Sequence, residues 1–262
     1  MDINKVYLGD CLEIMPSISD KSIDMVLTSP PYDNLRSYGG FVFDFENTAK
    51  ELLRVTKDGG VVVWVVGDAT VKGSETGTSF RQALYFMEIG FNLYDTMIYL
   101  KNSCPFPTDK RYNQIFEYMF ILSKGLPKTF NPLKRNNNYG SFTRKMTHRN
   151  QDGSMSMDET VTLQKQSNYG NVWLYDTGYM KSTKSKVAYQ HPAIFPEALA
   201  IDHIKSWSND GDLILDPFAG SGTTGVACQN LNRNYILIEK EPKYYDIILK
   251  RLSETQPRLL DK

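Results

Sequence analysis

The stretch Asp212-Leu213-Ile214-Leu215-Asp216-Pro217-Phe218-Ala219-Gly220-Ser221-Gly222-Thr223-Thr224-Gly225 decides the fold. Its first five residues are a short apolar run closed by an acid, the pattern of a buried strand. The proline and glycines that follow make a turn, and Thr223 to Asn230 opens a helix. A second apolar run, Tyr235-Ile236-Leu237-Ile238-Glu239, completes a βαβ unit. Gly220, Gly222 and Gly225 form a literal GxGxxG, which lets a backbone approach a ligand closely, and Glu239 stands about 20 residues on, where an acid binds ribose hydroxyls. No lysine follows the last glycine, which argues against a Walker loop.

Two ligands fit such a unit, a dinucleotide and S-adenosylmethionine. Asp216-Pro217-Phe218 favours the second. A carboxylate at the strand end suits the cationic ammonium of a methionine moiety and repels a pyrophosphate, which prefers bare amides and a helix dipole. A nicotinamide fold usually begins with this unit, whereas here it starts about 215 residues in. A nicotinamide oxidoreductase is therefore the remote alternative.

Towards the N-terminus, Ile23-Asp24-Met25-Val26-Leu27 reads as a strand that runs into Thr28-Ser29-Pro30-Pro31-Tyr32. This places the segment at the C-terminal end of a parallel strand, where α/β sheets bind their ligands. The two prolines hold the chain extended and leave the Ser29 side chain and the Pro30 carbonyl as fixed acceptors, with Tyr32 presenting a flat face. An exocyclic amine on cytosine or adenine is a poor nucleophile because its lone pair is conjugated into the ring. Two acceptors gripping its N–H bonds draw it towards sp³ geometry, and the aromatic stacks on a base that has left the duplex.

Between these segments the chain alternates strands and helices: a helix over Phe45 to Val55 stopped by Asp58-Gly59-Gly60, a β-branched strand at Val61 to Val66, a helix over Thr78 to Ile89 capped by Gly90, then strands at Tyr94 to Leu100 and Phe116 to Leu122. Residues 126–187 break the rhythm with Asn, Ser, Thr, Lys and Gly, and read as loops with small elements. After them, Phe195 to Ser206 is helical and Pro242 to Leu252 is a last helix. The expected fold is a doubly wound, mostly parallel α/β sheet carrying an insertion, divided as 1–125, 126–187 and 188–262.

The net charge of zero hides an asymmetry. Between Pro127 and Gln190 ten Lys and Arg stand against four acids, which leaves this segment at +6 and the remainder at −6. The bases are interleaved with Tyr139, Phe142, Tyr169, Trp173 and Tyr175, a pattern that suits nucleic acid. Cys11, Cys104 and Cys228 are scattered, His148, His191 and His203 form no HExxH, and neither a metal site nor a disulfide framework is expected. Without a signal peptide or a membrane-length apolar run, the expected setting is the cytoplasm, away from membranes. Cys104-Pro105 has the wrong order for a C5-cytosine nucleophile, His203 reads as structural, and the glycine-bearing stretches 36–40 and 73–77 are lid candidates.

With these motifs in order, the chain resembles the DNA amino-methyltransferases of restriction-modification systems, which methylate N4 of cytosine or N6 of adenine. Ser29-Pro30-Pro31-Tyr32 resembles the family's catalytic motif, and Asp216-Pro217-Phe218-Ala219-Gly220-Ser221-Gly222 its cofactor loop. Glu239 resembles the ribose-binding acid, and Gly9-Asp10-Cys11 the motif that reaches the cofactor's adenine. His191-Pro192 and the helix from Phe195 resemble the segment that closes over the methionine part, and Phe116 to Gly125 the strand supporting the target-base pocket. A catalytic motif ahead of a basic segment ahead of the cofactor loop matches the family's circularly permuted β arrangement, with 126–187 as the target-recognition part. The resemblance implies S-adenosylmethionine as cofactor, double-stranded DNA as partner, a homodimer, and a separately acting cognate restriction endonuclease. Ser29 in place of Asp is more usual in the N4-cytosine enzymes, with N6-adenine the alternative. A DNA-binding module without catalysis is the reading from another class, and the two intact motifs speak against it.

Overall fold

In the computed structural model, which describes residues 1–31, 43–104, 109–138 and 140–255, the chain forms two compact units. One comprises Met1–Asn131 with Asn171–Lys262, the other Pro132–Gly170. The first unit begins with β1 (Lys5–Leu8), α1 (Cys11–Ile14), β2 (Ile23–Thr28), α2 (Phe45–Val55) and β3 (Thr56–Val66). A small hairpin, β4 (Thr70–Val71) and β5 (Ser74–Glu75), precedes α3 (Thr78–Glu88), β6 (Asn92–Lys101) and β7 (Phe116–Ser123). The second unit holds β8 (Lys134–Asn136), β9 (Phe142–Arg149), β10 (Met155–Leu163) and β11 (Gln166–Asn168). The chain then returns to the first unit with β12 (Val172–Tyr175), α4 (Glu197–Trp207), β13 (Leu213–Asp216), α5 (Thr223–Asn230), β14 (Asn234–Glu239) and α6 (Pro242–Glu254).

The first unit is built on an eight-stranded sheet of order β1-β14-β13-β2-β3-β7-β6-β12. Its pairings are parallel except those of β7 with β3 and β6. The Val61–Val66 run lies at its centre and is buried throughout, as a strand covered on both faces must be. One face packs against α1, α2 and α3 through Met15, Leu52, Trp64 and Phe86. The other carries α4, α5 and α6, with Leu199, Ile204 and Ile248 buried there. Adjacent strands β2 and β13 thus send their following helices, α2 and α5, to opposite faces. That divergence opens a crevice at the strands' C-terminal ends, the position where open α/β sheets bind ligands.

Several local readings are refined. Helix α2 ends at Val55 rather than running to Asp58–Gly60, because the Thr56 hydroxyl donates to the Leu52 carbonyl at 2.6 Å and the chain passes directly into β3. Gly60 lies inside β3, where an added Cβ would meet the Asp24 carbonyl oxygen at 2.9 Å. The 73–77 stretch belongs to the β4–β5 hairpin. Residues 126–187 are not mainly loops. Residues 132–170 form the separate compact unit, and Val172–Tyr175 pair in parallel with β6 as the sheet's edge strand.

That edge strand corrects part of the aromatic reading. Trp173 and Tyr175 are buried under α4, with Trp173 stacked near His203 and the Tyr175 hydroxyl donating to Asp202 at 2.9 Å. They do not face nucleic acid, because alternate residues of an edge strand pack on the core. Tyr32, the 36–40 stretch, Pro105 and Tyr139 lie outside the described residues. Among the described residues no helix is long and apolar enough to cross a membrane, and no group of His, Cys, Asp and Glu could hold a metal ion.

Candidate active site

The crevice is a cavity of about 1200 Å³. Five strand ends supply its wall: Asp10 and Cys11 follow β1, Ser29 to Pro31 follow β2, and Gly67 and Asp68 follow β3. Pro217 to Ser221 follow β13, and Glu239 closes β14. His191 and Pro192 complete the rim. The catalytic and cofactor segments, some 190 residues apart in sequence, therefore meet in one space because β2 and β13 are neighbours.

The glycine turn is shaped for close approach. Gly220 and Gly222 have φ of +54° and +79°, a left-handed conformation that side chains disfavour. A Cβ at Gly220 would meet His191 Cε1 at 3.1 Å, so the imidazole edge lies directly against the turn. His191 is held there by Tyr244, ring centroids 4.3 Å apart, and by the Ala193 carbonyl 2.6 Å from its Nδ1.

Glu239 spans the turn and the following strand end. Its Oε2 accepts from the Gly220 N–H at 2.8 Å and its Oε1 from the Glu241 N–H at 2.9 Å. Burial holds its carboxyl above the ordinary glutamate range, opposed by those two N–H donors. Each oxygen keeps a further lone pair for a hydroxyl at the cavity. Asp10 caps α1, accepting from the Leu12 N–H at 2.9 Å, and pairs with Lys240 at 3.0 Å. The Cys11 thiol is pushed up to about 12, first by burial and then by Asp10, so it is a neutral packing group at the cavity floor.

Asp216 is placed differently from the expectation. It does not line the cavity, and its carboxylate is spent on internal donors. Oδ1 accepts from the Thr28 hydroxyl at 2.7 Å and the Phe218 N–H at 3.1 Å, while Oδ2 accepts from the Thr224 hydroxyl at 2.6 Å. Burial raises its pKa to about 6 against these hydrogen bonds. The ammonium-binding role is thereby corrected: a strand-end acid suits an ammonium only if its oxygens face the ligand, and here they face the core. Gly222 likewise lies behind the wall, with Ile248 Cγ2 2.9 Å from where a Cβ would stand.

Three contributors escaped the sequence reading. Arg251, on α6 and almost wholly buried, donates to the Ser221 carbonyl at 2.5 Å and to Glu197 Oε1 at 2.6 Å, bracing the turn from behind. Asp68 accepts from the Ser79 N–H at 2.9 Å and its hydroxyl at 2.5 Å, fixing the end of β3 to the start of α3. Lys101 and Glu117 form a 2.5 Å ion pair on the cavity wall beside Tyr99 and Phe116. That pair exists because β6 and β7 are antiparallel neighbours, which no local pattern announces.

The arrangement fits S-adenosylmethionine. A positive-φ glycine turn lies under the cavity, an acid with free lone pairs ends the next strand, and a second acid, Asp10, stands at the end of β1. Residues 23–250 match the DNA methylase family, N6_N4_Mtase. The orphan methyltransferase M.BamHII of Bacillus amyloliquefaciens is 57% identical over 240 residues, covering 90% of this chain and 91% of that protein. Among solved structures, the M1.HpyAVI–SAM complex superposes with a TM-score of 0.64 at 25% identity, covering 95% of this chain and 98% of that one. The cytosine-N4-specific PvuII DNA methyltransferase has the same fold, with a TM-score of 0.71 at 22% identity over 96% of this chain and 86% of that one.

Proposed function

The chain belongs to the DNA methylase family of S-adenosylmethionine-dependent amino-methyltransferases, and on that footing we propose that it methylates N4 of a cytosine flipped out of duplex DNA. The observation that carries this reading is the single cavity shared by Ser29–Pro31 and the Gly220–Glu239 arrangement. S-adenosylmethionine supplies a methyl group on a sulfonium. Glu239 would hold its ribose, the Gly220 backbone and His191 would flank its methionine part, and Asp10 would reach its adenine. Ser29 and the Pro30 carbonyl would take the two N–H bonds of the target amine, with Pro31 stiffening the segment and Tyr32 stacking on the base. Ser29 at the first motif position supports cytosine over adenine.

The 132–170 unit supports a target-reading role. Strands β9 and β10 form a two-stranded antiparallel ribbon, a shape the DNA major groove admits. One face presents Thr143, Lys145, Thr147 and Arg149, with Thr162 and Thr160 opposite Thr143 and Lys145, and all six are exposed. Hydroxyls and cations on one face suit base edges and phosphates.

The deciding experiment is to incubate the protein with plasmid DNA and S-adenosylmethionine, digest to nucleosides and separate them. N4-methylcytosine is expected. N6-methyladenine alone would replace the cytosine assignment, and no transfer to DNA would overturn the whole reading.

A further inference from the structure

We propose that α3 and the uncovered end of the central sheet form a surface through which two copies of this chain pair. The two faces of strands β6 and β12 differ sharply. On one, Trp173 and Tyr175 are 9% and 8% exposed beneath α4. On the other, their neighbours Val172 and Leu174 are 55% and 63% exposed. Register places Val172 beside Ile98 and Leu174 beside Leu100, and Ile98 in turn opposite Tyr118, so these apolar side chains share one face. It is the face that carries α2 and α3 further along the sheet. A doubly wound sheet is normally covered on both sides, and here the third layer stops one helix short.

Helix α3 borders the gap and has a gap of its own. Phe80, Leu84 and Met87 lie at i, i+4 and i+7 and are 50%, 65% and 46% exposed. Phe80 touches Tyr118, ring centroids 5.3 Å apart, which joins the helix stripe to the bare sheet face. Together they make a continuous apolar corner of a few hundred Å², the scale at which exposed patches mark interaction surfaces.

A second copy is the occupant the surface fits. The sheet lacks a helix, the helix stripe lacks a cover, and one chain offers both halves, as a two-fold interface requires. The charges agree. Arg81 and Glu88, both exposed, stand on one shoulder of the stripe seven residues apart. Two α3 helices packed antiparallel about Leu84 bring Arg81 of each copy to Glu88 of the other. A duplex offers only phosphates and polar base edges to such a corner, so DNA is a poor occupant.

Sedimentation equilibrium of the full-length protein tests this between about 1 and 100 μM. The wild type is expected to be a dimer. Leu84→Glu and Val172→Glu, both at exposed positions, should each weaken association at least 100-fold while leaving the thermal melt and S-adenosylmethionine affinity unchanged. Arg81→Glu and Glu88→Arg should each weaken self-association, and mixing the two should restore a dimer by pairing opposite charges. A wild type that stays monomeric across this range, or a dimer that survives both glutamate substitutions, overturns the proposal. Failure of the two charge variants to recover on mixing overturns the antiparallel pairing of α3.

Discussion

The Thr28 hydroxyl donates to Asp216 Oδ1 at 2.7 Å, between two side chains 188 positions apart that are both fully buried. The bond ties the strand carrying Ser29–Pro31 to the strand carrying the glycine turn. Asp216 also accepts from Thr224 at the start of α5 and from the Phe218 amide, so one carboxylate sets the spacing between the two halves of the cavity.

Asp216→Asn should change how stability depends on pH. Burial raises the folded-state pKa to about 6 from an ordinary value of 3.8. The folded protein therefore holds a proton that the unfolded chain releases between these values. The stability contributed by this group is fully present below about pH 4 and falls as pH rises through 6, by roughly 3 kcal/mol in all. Asparagine has no such titration. Thermal melts between pH 4 and 7 should show the variant's midpoint rising relative to wild type. A constant difference would remove Asp216 from the account.

Glu239→Gln keeps the shape but places an amide NH₂ against one of the N–H groups of Gly220 and Glu241. An unmatched donor there costs roughly 1–3 kcal/mol. Calorimetric titration should find S-adenosylmethionine bound about 10- to 100-fold more weakly, with the melting temperature of the free protein little changed.

Two glycines of the same turn separate binding from stability. Gly220→Ala adds a Cβ 3.1 Å from His191 at φ +54°, on the cavity side. It should weaken cofactor binding at least tenfold through displacement of His191. Gly225→Ala adds a Cβ 2.5 Å from Leu237 Cδ1, inside the core. Overpacking of this kind costs about 1–3 kcal/mol of stability, while cofactor affinity of the folded fraction should hold. Urea unfolding and cofactor titration of both variants check the contrast, and a reversed pattern would contradict it.

Arg251→Met breaks the ion pair with Glu197 and frees the Ser221 carbonyl. Breaking a buried pair costs about 3–5 kcal/mol, and partial solvent contact at Glu197 brings this to roughly 2–4 kcal/mol. Adding Glu197→Gln should recover part of the loss, because no buried charge is then left without its partner. Denaturant midpoints of the single and double variants measure the coupling.

On the ribbon, Lys145→Ala and Arg149→Ala should each reduce the salt dependence of DNA binding by about one phosphate contact, if these cations meet the backbone. A substitution that instead relaxes the methylated sequence would assign that side chain to a base edge. Filter binding across salt concentrations, with methylation mapping alongside, distinguishes the two.

Local pattern alone determined the two motifs, the strand-and-helix order around them and the meeting of a catalytic with a cofactor segment. The reason is that apolar periodicity, proline and glycine act over a few residues: Val61–Val66, Pro30–Pro31 and the Gly220–Gly225 turn carry their conformations with them. Long-range pairing was decided only by the tertiary structure. Asp216 reads as a ligand-facing acid at a strand end, yet Thr28 and Thr224 turn it inward. Trp173 and Tyr175 read as nucleic-acid aromatics until β12 joins β6 and α4 covers them. Arg251 and the Lys101–Glu117 pair carry no local signature at all. A buried polar side chain must find its partner wherever the fold brings one within about 3 Å, and that partner's identity is a property of packing, which the order of residues along the chain does not display.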